Sequence, residues 1–268
     1  MNLLIGNLVI NFGEHRLLGP IAANFGTGHL NMIVGRSGCG KTTLLKLIAG
    51  FHKDFTGAIS IDEEYFDPQG KVAFAFQNPE SLFFNDTVFD EIAYAIKATA
   101  DKSINIESNV YEWMKKWGLD PEIYSKKYPF HLSGGEKRRV ALAACTILKP
   151  GIILLDEPLA GLDREGQQDL SAVINSLVKE HVVIVVTHEP ELLLQEDTQI
   201  LYIGNEQAAQ LSANEFLTNA VMKSDFYPLP DWYRNSIAPY AEQFYLPMVN
   251  AQDVFDFLEQ AKNESGNK

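Results

Sequence analysis

Apolar residues gather in short runs of strand length, separated by longer stretches with helical spacing. His29 to Val34, Val72 to Gln77, Ile152 to Asp156 and Val182 to Thr187 are near-continuous and β-rich, the pattern of strands buried on both faces. Leu162 to Lys179 carries a helical pattern between two of them. A strand–helix–strand succession of that size predicts a parallel sheet. Residues 81–148 differ: they contain the helical stretches Val88 to Lys97, Ile106 to Trp117 and Gly134 to Leu148 and no convincing strand. The expectation is an α/β fold with a mainly parallel sheet in residues 1–80 and 149–205, interrupted by a helical block at 81–148.

After about Asn205 the pattern weakens. Pro228, Pro230, Pro239 and Pro247 punctuate a stretch containing Phe226, Tyr227, Trp232, Tyr233, Tyr240, Phe244 and Tyr245. So many rings do not suit a solvated linker, so residues 206–268 are expected to form a small C-terminal extension packed against something. Asn250 is placed to cap a short helix over Ala251 to Lys262, and the last residues to fray.

Composition narrows the functional classes. The 268 residues, 46% of them hydrophobic, suffice for one substantial core with an appendage. A net charge of −13 argues against nucleic-acid binding, which needs clustered cations to neutralise phosphates. The two cysteines, Cys39 and Cys145, make no CxxC pair, which points to a reducing cytoplasm rather than to disulfides or zinc. No apolar run approaches the ~20 residues of a membrane span, and the first residues lack a basic secretion signal, so a soluble chain is expected.

Candidate chemistry begins at Gly35-Arg36-Ser37-Gly38-Cys39-Gly40-Lys41-Thr42, a GxxxxGK[ST] loop between an apolar strand and the apolar helix Thr43 to Ile48. Glycines let the backbone curl so that successive N–H groups face phosphate oxygens, and the helix adds its positive end. Lys41 is placed to reach the β- and γ-phosphates and Thr42 to hold Mg²⁺. Ile152-Ile153-Leu154-Leu155-Asp156-Glu157 is a buried strand ending in two carboxylates. Beside the cradle, Asp156 suits organising Mg²⁺ and Glu157 suits orienting or deprotonating a water. Gln77 and His188 each close a strand at the same sheet edge. The plain reading of either is a strand-end residue, and their neighbours favour a role at the γ-phosphate. His15, His29, His52, His131 and His181 read as structural or merely exposed.

Leu132-Ser133-Gly134-Gly135-Glu136 opens a helix that continues through Lys137-Arg138-Arg139-Val140-Ala141. Bare N–H groups and a hydroxyl at that helix start make a second anion site. The cradle, Gln77, this LSGGE signature, Asp156-Glu157, Asp163 and His188, in their order over residues 1–205, resemble the ATP-binding cassette (ABC) ATPase family. The resemblance implies a RecA-like P-loop NTPase core with a helical signature subdomain, with ATP and Mg²⁺ as cofactors. It implies catalytic roles for Glu157, His188, Gln77 and Lys41, and metal contacts from Thr42, Gln77 and Asp156. ATP would be held by Gly35, Ser37, Gly38, Cys39, Gly40, Lys41, Thr42 and Thr43, with Phe12 stacked on adenine. A second ABC ATPase subunit, identical or related, would pair head to tail. Ser133, Gly134, Gly135, Glu136 and Asp163 of one subunit would then close over ATP in the other's cradle. The chain departs from the commonest pattern at Glu136, where Gln is frequent, and at Cys39, where Ser is frequent. Neither change removes a phosphate ligand. Cys39 reads either as a thiol activated by the helix start or as a small-residue replacement.

Gln77-Asn78-Pro79-Glu80, Pro129-Phe130-His131-Leu132 and Pro158-Leu159-Ala160-Gly161-Leu162-Asp163 are similar to the ATPases of energy-coupling-factor importers, including the cobalt and nickel branch, as is the proline-punctuated tail. That implies a micronutrient importer whose membrane subunit docks beside Gln77, with membrane contact through that partner only, at the cytoplasmic face. Glu80 to Tyr94 offers Phe83, Phe84, Asp86, Asp90 and Glu91, suited to an Arg-bearing amphipathic helix. The other reading makes the phenylalanines core and the acids a solvated face. Trp113, Met114 and Trp117 have the spacing of core residues. Within the family, the alternative is a soluble ATPase of an assembly, repair or regulatory complex. The separation of 56 positions from Gln77 to Ser133 leaves no room for the coiled coil of repair members. A non-catalytic nucleotide-dependent module would not need intact Lys41, Asp156, Glu157 and His188.

Overall fold

The buried runs become strands whose alternate residues face two different layers. The computed structural model describes residues 1–12, 15–99, 105–204, 208–222, 226–231 and 234–235. The chain runs through β1 (Asn2–Phe12), β2 (His15–Gly26), β3 (Asn31–Gly35), α1 (Lys41–Ile48), β4 (Phe55–Ile61), β5 (Glu64–Tyr65) and β6 (Val72–Ala75). The helical block holds α2 (Val88–Ala98), α3 (Ile106–Lys116), α4 (Pro121–Tyr124) and α5 (Gly134–Thr146). Then come β7 (Ile152–Asp156), α6 (Arg164–Leu177), β8 (Val182–Val186), β9 (Gln199–Ile203), β10 (Ala208–Ser212) and α7 (Ala213–Met222).

One sheet has the order β10-β9-β3-β8-β7-β6, parallel except for β10 at the edge. Ile33, Ile152, Leu154, Val182, Ile184 and Val186 join a core with α1 and a second, antiparallel sheet of order β2-β1-β4-β5. Met32, Val34, Ile153, Leu155, Val183 and Val185 join the opposite core, with α2, α3, α5, α6 and α7. The strand period of two is therefore present but hidden, because both faces are apolar. The mainly parallel sheet and the strand-free helical block are as expected among the described residues. The five helices expected within the described residues appear with ends displaced by at most two residues, the usual play at a helix terminus. Trp113, Met114 and Trp117 are buried, and both indole N–H groups donate to the Thr146 hydroxyl, at 3.0 and 3.1 Å.

Two features depart from the sequence reading. The antiparallel sheet was not foreseen, because its alternation is broken. Leu3 and Ile5, then Leu8 and Ile10, are all buried, and the register slips between Ile5 and Leu8, where Asn7 takes φ +47°. A bulge thus replaces one two-residue step by three and masks the period. Opposite it, a Cβ on Gly19 (φ +117°) would lie 2.3 Å from the Leu8 carbonyl oxygen, so only glycine fits. The second departure is the boundary at residue 205. β10 pairs with β9 from Ala208–Ile203 to Ser212–Gln199, and α7 buries Phe216, Leu217 and Ala220 in the helical-side core. Residues 208–222 therefore complete the core rather than begin an extension. In the edge strand Ala208-Ala209-Gln210-Leu211-Ser212, Leu211 is the one large apolar residue, which leaves no alternation to read.

Phe226 stacks on Tyr202 with centroids 4.1 Å apart, and Tyr227 is buried beside Phe216. Trp232, Tyr233, Tyr240, Phe244, Tyr245 and the helix expected over Ala251 to Lys262 lie outside the described residues, as does the side chain of Phe12.

Candidate active site

Parallel strands bring their C-terminal ends to one edge, and the site forms there. Gly35 ends β3, Asp156 ends β7, His188 follows β8 by two residues and Gln77 follows β6 by two. Ile33 and Asp156 are both registered on Val186, and Ala75 lies beside Leu155. Four strands thereby converge on one neighbourhood.

The cradle turns at Gly38 (φ +79°) and Gly40 (φ +96°), backbone conformations that favour glycine. Gly35 has no room for a side chain: a Cβ would lie 2.4 Å from the Ile203 carbonyl oxygen and 2.8 Å from Cys39 Sγ. Gly40 is the N-cap of α1 and no side chain caps that helix, which leaves its first turn suited to an anion. Lys41 is buried, and its Nζ donates to the carbonyls of Gly35 (2.8 Å) and Arg36 (3.1 Å). The ammonium is thus drawn across its own loop. Ser37 is exposed, while Cys39 and Thr43 are half-buried.

Thr42 Oγ1 donates to Asp156 Oδ2 at 3.0 Å. Burial raises the Asp156 pKa, opposed by Thr42 and then Lys41, so this buried carboxylate lacks its full counter-charge. A hydroxyl and a carboxylate meeting there are hard oxygen donors that fit Mg²⁺. No group of three or more His, Cys, Asp and Glu side chains among the described residues could hold a metal. Phosphate and water oxygens would have to complete the shell, as is usual for this ion.

Glu157 has φ +51°, a left-handed conformation that costs about 1–2 kcal/mol for a residue with a side chain. Its N–H is anchored on the Val186 carbonyl at 2.9 Å. The carboxylate turns toward His188: Oε2 accepts that residue's backbone N–H at 3.2 Å, and Nε2 approaches Oε1 to 3.4 Å. Burial raises the Glu157 pKa against the His188 bond, and neighbouring Asp156 adds to the rise. Burial, then Lys41, lowers that of His188, which keeps the imidazole neutral at neutral pH. The pair joins a carboxylate of raised basicity to a neutral imidazole, a combination suited to accepting a proton from water.

The signature residues form a second cluster. Ser133 caps α5, its Oγ accepting the Glu136 N–H at 3.3 Å, while Glu136 accepts the Ser133 N–H at 2.7 Å and the Tyr124 hydroxyl at 2.8 Å. Burial works against the Glu136 charge, but the bonds from Ser133 and Tyr124 outweigh it and lower its pKa. Asp163 caps α6 by accepting the Gly166 N–H at 2.9 Å. A Cβ on Gly135 would lie 3.7 Å from Gly166 Cα, so the two helix starts are neighbours. Ser133, Gly134 and Asp163 are exposed. The structure therefore gathers Lys41, Thr42, Asp156, Glu157 and His188 in one cluster and Ser133 to Glu136 with Asp163 in another. Gln77 is exposed at the sheet edge.

Sequence reasoning did not single out Tyr124, Arg138 or Tyr227 as site residues. Arg138, hidden in a basic run, is buried and paired with Glu80, 58 positions away. Tyr227 donates its hydroxyl to the His188 carbonyl at 2.8 Å across 39 positions. No local spacing could reveal either link. In the segment expected to dock a partner, Phe83 is buried against Phe130, while Leu82, Phe84 and Tyr94 are exposed, Phe84 edge-on to Tyr94. Glu91 is buried and accepts the N–H groups of Phe84 and Asn85, and Asp90 pairs with Lys97 at 2.7 Å. Phe83 is therefore core, Phe84 faces out, and Glu91 is a structural acid rather than part of a solvated face.

Three comparisons bear on this arrangement. The family described as ABC transporter matches residues 18–160. The energy-coupling factor transporter ATP-binding protein EcfA2 of Thermotoga maritima is 35% identical over 196 residues, 71% of this chain and 73% of that one. The protein of the same description from Ligilactobacillus salivarius is 32% identical over 234 residues, 83% of this chain and 78% of its own. A solved structure of cbiO1 from Clostridium perfringens, described as part of the ABC transporter complex cbiONQ, has a TM-score of 0.71 at 23% identity. It covers 82% of this chain and 93% of that one, a likeness of fold.

Proposed function

This chain belongs to the ABC transporter family, and from that premise we propose that it powers import of a micronutrient, a vitamin or a transition-metal ion, through a separate membrane protein. It is the ATP-binding, ATP-hydrolysing subunit of such a transporter, converting ATP and water to ADP and phosphate. Support for import comes from the energy-coupling factor relatives. The observation that carries the reaction is the convergence of Lys41, Thr42, Asp156, Glu157 and His188 at one sheet edge.

In this reading Gly35 to Thr43 hold the phosphates, and Lys41 leaves the Gly35 and Arg36 carbonyls to meet the β- and γ-phosphates. Thr42, Asp156 and Gln77 would hold Mg²⁺, which when bound neutralises phosphate charge. Glu157 accepts a proton from the attacking water, and neutral His188 donates a hydrogen bond to the γ-phosphate. Phe12 stacks on adenine. Ser133 to Glu136 and Asp163, of which Ser133, Gly134 and Asp163 are exposed, serve a second ATPase subunit whose cradle they close, identical or related. Residues 1–80 and 149–222 act as the nucleotide-binding core, 81–148 as the helical subdomain, and the exposed Leu82, Phe84 and Tyr94, which follow Gln77 in the chain, receive the membrane subunit. No helix among the described residues is long and apolar enough to cross a membrane. The chain would therefore reach the cytoplasmic face of the membrane through its partner.

The test is Glu157→Gln in the full-length chain. Expected are turnover lowered by about a hundredfold or more and an ATP-dependent dimer on size-exclusion chromatography. Lys41→Ala should instead weaken nucleotide binding itself. Ordinary hydrolysis by Glu157→Gln removes that residue from its role.

A further inference from the structure

Arg138 lies on the inward face of α5 and is 3% exposed. A buried guanidinium needs a counter-charge and acceptors for its fork of N–H donors. It finds them on two segments that α5 separates. Glu80, in the turn after Gln77, supplies the charge, with Nε 3.0 Å from Oε2 and Nη2 3.4 Å from Oε1. The segment after β7 supplies carbonyls: Nη1 donates to Glu157 (3.4 Å) and Pro158 (3.3 Å), and Nη2 to Ala160 (3.4 Å). These carbonyl bonds are at the long end of the range, so a displacement of a few tenths of an ångström tightens or breaks them. The ion pair to Glu80 is the shortest of the contacts.

We propose that Arg138 is a positioning residue that sets the backbone of Glu157 according to where the turn after Gln77 holds Glu80. It rests on the reading of Glu157 as the base and of Leu82 and Phe84 as the partner's dock. Leu82 ends the same short turn as Glu80. A helix pressing on that turn moves Glu80, and the guanidinium follows its buried counter-charge. The Glu157 carbonyl then shifts, and with it a residue already held at φ +51°, whose carboxylate is aimed at His188. Lysine would not substitute, because a single ammonium cannot span a carboxylate and three carbonyls.

The test uses the full-length chain and reads amide hydrogen exchange over residues 157–160, steady-state ATP hydrolysis, and the Kd of a fluorescent ATP analogue. Glu80→Gln should raise exchange at 157–160 about fivefold and lower kcat about tenfold, with the Kd within about twofold, because the cradle is untouched. In an Arg138→Met background the same change should add nothing further. Wild-type exchange at 157–160 in Glu80→Gln, or additive effects in the double variant, overturns the proposal. Should Arg138→Met not fold, Arg138→Lys keeps the charge opposite Glu80 while losing the carbonyl grip. It should show the same rise in exchange, and wild-type protection there counts against the idea. Normal turnover by Glu157→Gln would defeat the underlying reading instead, and the exchange coupling would still be measured separately.

Discussion

Replacing Glu191 by glutamine should stabilise the folded chain at neutral and alkaline pH. Glu191 lies in the short turn Pro190–Leu192 after His188, is 4% exposed, and has Oε2 buried without a hydrogen-bond partner. Burial, helped by Glu189 and opposed by a backbone N–H, raises its pKa from 4.5 to about 7. A carboxyl that holds its proton more tightly when folded makes the folded state the better proton binder between those two values. Stability therefore falls as pH rises from about 4.5 to about 7 and is level above. At 1.36 kcal/mol per pKa unit, the ionised group costs about 3 kcal/mol at pH 8 and under about 1 kcal/mol at pH 5. Glutamine has the same shape and no charge to desolvate. In a protein of this size, Glu191→Gln should raise Tm by roughly 6–10 °C at pH 8 and by only about 2 °C at pH 5, read by calorimetry of both proteins. An equal gain at the two pH values, or a loss at pH 8, would refute the ionisation argument.

Three further outcomes follow from the geometry. Tyr227→Phe leaves the His188 carbonyl without its 2.8 Å donor, a loss of about 1 kcal/mol that should appear as a several-fold lower kcat with nucleotide affinity retained; an unchanged kcat would separate Tyr227 from the positioning of His188. Thr146→Val strands two buried indole N–H groups and should lower stability by about 2–4 kcal/mol in thermal melts, whereas Thr146→Ser should not; a Val variant as stable as wild type would contradict this. Burial raises the Glu157 pKa, and a base must be ionised to act. Activity should therefore be lost as pH falls through a midpoint above 4.5 in a kcat/KM profile, and a midpoint at or below that value would go against the assignment.

Within single loops, chemistry was legible from residue order alone. A phosphate cradle is eight contiguous residues, a carboxylate pair closes one strand, and a signature opens one helix, so spacing carries the meaning. The α/β succession was legible for the same reason, since periodicity is a property of the chain's own window. What lay opposite each window was decided only in three dimensions. Ile152 and Ile153 are alike in sequence yet enter different cores. The bulge at Asn7 erased the alternation of β1, and the edge strand β10, with one large apolar residue, had none to show. Phe84 went outward and Glu91 inward, against hydropathy, because Glu91 satisfies backbone N–H groups that the turn leaves open. Arg138 left a basic run for the interior once Glu80 and three carbonyls could receive it. Burial and pairing of this kind depend on contacts between distant segments, and folding alone brings those together.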